Sequence, residues 1–140
     1  MKSKRLPAGP FDFCETGEIE SPADFVLRIP ANIQSKGELL TALAVVGRFP
    51  SYFGNNWDAL LDCLRDFGWI DKKTIVIRHS DLPLQANPQE CRIYLELLRE
   101  AVFDWARSPD AAQEPARSVD HDLRVIFPAS LQSVIEARLK

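Results

Sequence analysis

Thr74-Ile-Val-Ile-Arg78 decides the architecture. Three consecutive β-branched apolar residues between Thr and Arg read as a strand. Their run has no polar alternation at its centre, which suits a strand covered on both faces, as in a parallel sheet. On its N-terminal side, Phe25-Val-Leu-Arg-Ile29 is a second strand stopped by Pro30, and on its C-terminal side Leu123-Arg-Val-Ile-Phe127 is a third. Between the first two, Ser35 and Glu38 predict a capped helix to about Val46, with Leu39, Leu40, Leu43 and Val46 at helical spacing and Gly47 at its end. Phe49 to Gly54 reads as a loop. Asn55 or Asn56 caps a second helix, with Trp57, Leu60, Leu61 and Leu64 as its apolar stripe, Phe67 near its end and Gly68 as its C-cap. Asp81 to Asn87 is rich in turn residues. Pro88 then opens a long helix to about Trp105, carrying Ile93, Leu97, Ala101 and Trp105. Ser130 is placed to cap a final helix, Leu131 to Leu139. The order strand, two helices, strand, helix, strand, helix predicts an α/β fold: a small three-stranded parallel sheet packed by helices through right-handed crossovers.

The chain has 140 residues, one domain's length. Residues 1–24 lack periodicity and read as a loosely structured lead-in to a domain at 25–140, which carries a long loop at 107–122 and the added C-terminal helix. Hydrophobic residues at 46% and charged residues at 26% exclude a disordered or fibrous chain. The net charge of −3 argues against nucleic acid or an anionic membrane surface as partner. No apolar run approaches the roughly 20 residues of a membrane helix, and the basic start, Met1 to Arg5, is not followed by a signal-peptide core. Cys14, Cys63 and Cys91 form an odd set without CxxC spacing, as expected of reduced thiols in a cytoplasm. No cofactor or metal site is expected.

The charge is unevenly placed. Asp58, Asp62 and Asp66 recur every four residues, which lines them up on one helix face. With Arg65, the segment Tyr52 to Ile70 holds three acids and one base, a net −2 of the chain's −3. Like charges at this spacing destabilise a helix by about 0.2–0.5 kcal/mol per pair. One reading is a solvated face opposite the Leu/Trp stripe. The other is an acidic surface shaped for a cationic partner, favoured by the neighbouring Tyr52, Phe53, Trp57 and Trp69.

The stretch Pro50-Ser-Tyr-Phe-Gly-Asn-Asn-Trp-Asp-Ala-Leu-Leu-Asp-Cys-Leu64 resembles the signature of barstar-like ribonuclease inhibitors. That family has a Pro-x-Tyr-Tyr-Gly-x-Asn loop running into a helix that reads x-Asp-Ala-Leu-x-Asp-x-Leu. A second similarity is Arg99-Glu-Ala101 near the end of the long helix. The resemblance implies a monomeric inhibitor, not an enzyme, that blocks a basic, extracellular-type, barnase-like ribonuclease by mimicking RNA phosphates. It implies that Asp62 is the central anchor, that Asp58 meets the same basic rim, and that Tyr52 lies over a catalytic histidine of the nuclease. Gly54 and Asn56 would shape the loop, Glu100 would make a peripheral charge pair, and Leu61 and Trp69 would complete the face. Carboxylates suit this task because a bidentate pair with Arg reproduces phosphate geometry.

The chain also departs from the family pattern. Leu61 stands where the reference inhibitor has Trp, Trp57 where it has Leu, and Arg65-Asp-Phe-Gly-Trp69 is two residues longer than the family's turn. Three rival readings remain at this point. One is a thiol enzyme using Cys63, His79 and His121-Asp122. The second is a metal site from Asp58, Asp62 and His79. The last is a protein of the same fold serving as an immunity or regulatory binder of a different toxin or protein.

Overall fold

A computed structural model of the chain describes residues 10–14, 21–106 and 121–140. The elements run β1 (Asp12–Phe13), β2 (Phe25–Ile29), α1 (Lys36–Val46), α2 (Trp57–Leu64), β3 (Thr74–His79), α3 (Pro88–Ala106), β4 (Asp122–Phe127), a 3-10 turn (Ala129–Leu131) and α4 (Gln132–Arg138). The sheet is parallel throughout, in the order β1-β4-β3-β2. β3 is an inner strand, and Ile75 to His79 is buried without interruption, as its unalternating sequence requires.

Register builds the core. Leu27 pairs with Ile77, which pairs with Val125; Phe25 pairs with Ile75, which pairs with Leu123. Leu27, Ile75, Ile77, Leu123 and Val125 therefore share one face, where they join Leu39, Leu43, Leu60, Leu64, Leu95 and Leu98 from the helices in one core. Each such side chain contributes about 1.5–3 kcal/mol by its burial. α1 carries the full capping box read from Ser35 and Glu38. Pro88 is the first residue of α3, and Asn87 Oδ1 accepts the Glu90 amide at 3.2 Å.

The structure departs from the sequence reading in three places. Among the described residues the sheet has four strands rather than three, because Asp12–Phe13 pairs with Ile126 and Phe127. Two residues are too few to show a periodicity; the strand is held by Phe11 and Phe13, whose rings lie 5.3 Å and 6.3 Å from that of Phe127. The final helix begins at Gln132 after the 3-10 turn, and Ser130 makes no cap. α2 stops at Leu64, so Phe67 lies outside it. There Phe67 adopts a left-handed φ of 46° while fully buried. That conformation costs a non-glycine residue about 1–3 kcal/mol, which the roughly 1.5–3 kcal/mol from burying a Phe ring offsets. Residues 1–9 and 15–20 of the lead-in, and most of the expected 107–122 loop, lie outside the described residues.

Candidate partner-binding site

The loop before α2 turns one aromatic inward and one outward. The Phe53 amide donates to Pro50 O at 3.0 Å, and the Phe53 ring packs against Phe49 with centroids 4.9 Å apart. Its neighbour Tyr52 is left 71% exposed. Asn55 takes the left-handed conformation of the turn, with φ 54°. Asn56 then serves both sides of the junction. Its Oδ1 accepts the Ala59 amide at 2.8 Å as the N-cap of α2, and its Nδ2 donates to Gly54 O at 3.3 Å. Gly54 is not left-handed. A Cβ there would meet Asn56 Nδ2 at 3.4 Å and Ala59 Cβ at 3.7 Å, so the backbone does not demand glycine.

Asp58 and Asp62 are exposed one turn apart on α2. Asp58 sits in the first turn, where the helix dipole favours an anion. Asp66 falls beyond the helix, not on its stripe; its Oδ1 accepts the Gly68 amide at 3.1 Å. The turn nevertheless brings it back beside Asp62. Tyr52, Phe53, Ala59, Asp62, Cys63 and Asp66 line a hollow of about 190 Å3. Burial, followed by the Asp66 and Asp62 carboxylates, pushes the Cys63 thiol up to about 11, so the floor of the hollow is neutral. Desolvation and then Asp66 raise the Tyr52 hydroxyl above its ordinary value.

No base among the described residues pairs with Asp58, Asp62 or Asp66. Arg65, the base nearest in sequence, is turned the other way. Its guanidinium lies 3.8 Å from Glu100 Oε2 and 3.8 Å from Asp104 Oδ2, lining an open groove with Glu96, Arg99 and Phe103. Glu100 is thus separate from the hollow and already has a counter-charge, although its side chain remains 62% exposed.

Two further residues of the expected face are tied into the fold. Leu61 is half-buried against the core. Trp69 donates from Nε1 to Gly47 O at 2.9 Å and packs between Phe49 and Phe67. Trp57 donates to Glu90 Oε1 at 3.0 Å and carries Lys36 Nζ over its ring at 5.5 Å, linking α1, α2 and α3.

The histidines of the rival readings are elsewhere. His79 is fully buried, with Nδ1 3.1 Å from Ile126 O and Nε2 2.8 Å from the Tyr94 hydroxyl. The buried His121 places its nitrogens 2.8 Å from Lys72 O and 2.9 Å from Phe67 O. Both nitrogens of each ring are therefore engaged away from Cys63. His79 also lies in the core, whereas Asp58 and Asp62 are on the surface, so these three do not converge.

The family model described as Barstar (barnase inhibitor) matches residues 25–119, which hold the loop, α2, the turn after it and α3. The chain belongs to the barstar family. Members of this family are inhibitors that bind a ribonuclease. Neither a curated protein nor a solved structure matches the chain. The barstar match includes all the residues named above for the binding face, while β1, β4 and α4 lie outside it. No described helix is long and apolar enough to cross a membrane.

Proposed function

We propose that this barstar-family protein inhibits a small, basic ribonuclease of barnase type by covering its active site with the Tyr52 loop and α2. Asp62 is the anchor that takes the place of an RNA phosphate against the nuclease's cations. Asp58 meets the basic rim, Tyr52 covers a catalytic histidine, and Asn56 and Gly54 hold the loop that presents it. Leu61, Trp69 and Glu100 border the contact, Glu100 sharing its charge with Arg65. The protein acts as a monomer in the cytoplasm, where its three free cysteines remain reduced.

The observation that carries this reading is the uncompensated acidic surface. Asp58, Asp62 and Asp66 have no basic partner among the described residues, while the adjacent Arg65 is held by Glu100 and Asp104. Exposed like charges lower stability, and a cationic partner is what offsets that loss. A matched potential also speeds encounter, a behaviour for which the barnase–barstar pair is the standard example.

The test is to mix purified protein with a barnase-type ribonuclease and follow RNA cleavage. Inhibition at near-stoichiometric protein, weakened by added salt and by Asp62→Ala, is the expected result. Absence of inhibition at micromolar protein and low salt overturns it. The second reading, an immunity or regulatory protein for another toxin, is favoured by Leu61 and the lengthened turn, which change the face a nuclease would meet. A pull-down from source-cell lysate, with Asp62→Ala as control, separates the two.

A further inference from the structure

The turn that ends α2 adds something to the binding face that the family signature does not contain. The helix ends at Leu64, and buried, left-handed Phe67 anchors the turn directly after Asp66. The turn sets the Asp66 carboxylate on the hollow already lined by Asp62 and Tyr52. Oδ1 of Asp66 is held by the Gly68 amide, which orients the group. The hollow's remaining walls are the Phe53 ring, Ala59 and the Cys63 thiol.

We infer that Asp66 is a specificity-determining residue of the binding face: with Asp62 it forms a two-carboxylate seat for one guanidinium group of the partner, bordered by Tyr52 and Phe53. The inference rests on the proposed function, with Asp62 as anchor. The only base close in sequence, Arg65, lines the opposite groove and is occupied by Glu100 and Asp104, and no base among the described residues pairs with Asp62 or Asp66. An arginine suits it better than a lysine. A guanidinium spreads five N–H donors in one plane and reaches two carboxylates at once, and its flat face packs on an aromatic ring. An ammonium concentrates three donors at a point. The protonated Cys63 adds no competing charge at the floor.

The binding kinetics of four proteins with a barnase-type ribonuclease, at one low salt concentration, test this: wild type, Asp62→Ala, Asp66→Asn and Asp71→Asn. Asp71 is exposed and outside the hollow, so its substitution removes the same charge elsewhere. Asp66→Asn keeps an oxygen for the Gly68 amide, and a matching thermal melt confirms an intact fold; Asp66→Ser serves the same purpose if the Asn variant melts early. The expected result is dissociation on the order of tenfold faster for Asp66→Asn, with Asp71→Asn altering only association. Equal dissociation rates for those two variants, with Asp62→Ala still defective, overturn the role of Asp66 and leave the proposed function standing. Wild-type protein that does not bind overturns the proposed function and the seat with it.

Discussion

Arg65 and Glu100 face each other across the junction of α2 and α3, with Arg65 Nη1 3.8 Å from Glu100 Oε2. Asp104 holds the same guanidinium from its other side, again at 3.8 Å. The contact is long and half-exposed, so it adds little to stability, about 0–1 kcal/mol. Its effect on the surface is larger. A base that follows directly on α2 is kept away from Asp62 and Asp66, and Glu100 is partly neutralised.

Arg65→Ala should therefore strengthen the acidic field at small expense in stability. Association with a basic nuclease is expected to rise a few-fold at low salt, and the gain should vanish as salt screens it. Urea unfolding should show a loss of about 1 kcal/mol or less. Stopped-flow association rates that stay flat, or fall, would show that Arg65 does not damp the field.

Asn56 links fold to site more directly, since one side chain caps α2 and ties back the loop that carries Tyr52. Asn56→Ala should lower stability by about 1 kcal/mol, the usual loss for an N-cap. Asn56→Asp keeps the acceptor but not the Nδ2 donor. It should retain most of the stability yet loosen Gly54 and weaken partner binding. A denaturant midpoint unchanged in the Ala variant would remove Asn56 from both roles.

The two glycines flanking the loop should behave in opposite ways. At Gly47 an added Cβ would lie 2.7 Å from Phe49 Cε1 and 2.8 Å from Leu43 O, too close for either to remain in place. Its φ of −89° is ordinary, so close packing, rather than backbone conformation, demands glycine. Gly47→Ala should lose about 1–3 kcal/mol by overpacking and disturb the Trp69 contact. Gly54→Ala meets only ordinary neighbours and should leave the melting temperature unchanged or slightly raised. Any loss of binding in that variant then reports on the interface. Equal destabilisation by both substitutions would contradict this account.

The sheet and helices were legible because their signals are local. Unbroken β-branching at 74–77 marks a covered strand, and Ser35 with Glu38 announces a helix start that the backbone must satisfy. The acidic character of the site was legible too, from Asp58 and Asp62. Its shape was not. Helical spacing placed Asp66 on the stripe, whereas α2 ends two residues earlier because burying Phe67 compensates a left-handed backbone. That balance is tertiary, and no local pattern announces it. Likewise, the bond from the Trp69 indole nitrogen to Gly47 O, 2.9 Å long and 22 residues away in sequence, has no local signal. Asp12–Phe13 is a strand only because Phe127 is there to receive the rings beside it.

Stability should depend on pH through His79. Its ring is fully buried, stacked on Phe127 with centroids 4.0 Å apart, and hydrogen-bonded to Ile126 O and the Tyr94 hydroxyl. The Ile126 carbonyl acting as acceptor makes Nδ1 the protonated nitrogen, and Nε2 accepts from Tyr94. Burial lowers the pKa to about 3, although the bond to Ile126 works in the other direction. Burial likewise pushes the Tyr94 hydroxyl far up, so it stays neutral throughout. The folded state thus refuses a proton that the unfolded state accepts below about pH 6.5. Stability attributable to this site should be fully present above that value. It should fall by about 1.4 kcal/mol per pH unit as the solution is acidified towards 3. Carboxylates are still ionised between pH 5 and 6.5, so urea unfolding across that window isolates the histidines from them. His79→Gln should show a shallower slope than wild type there. Parallel slopes in the two proteins would mean that His79 takes up its proton while folded.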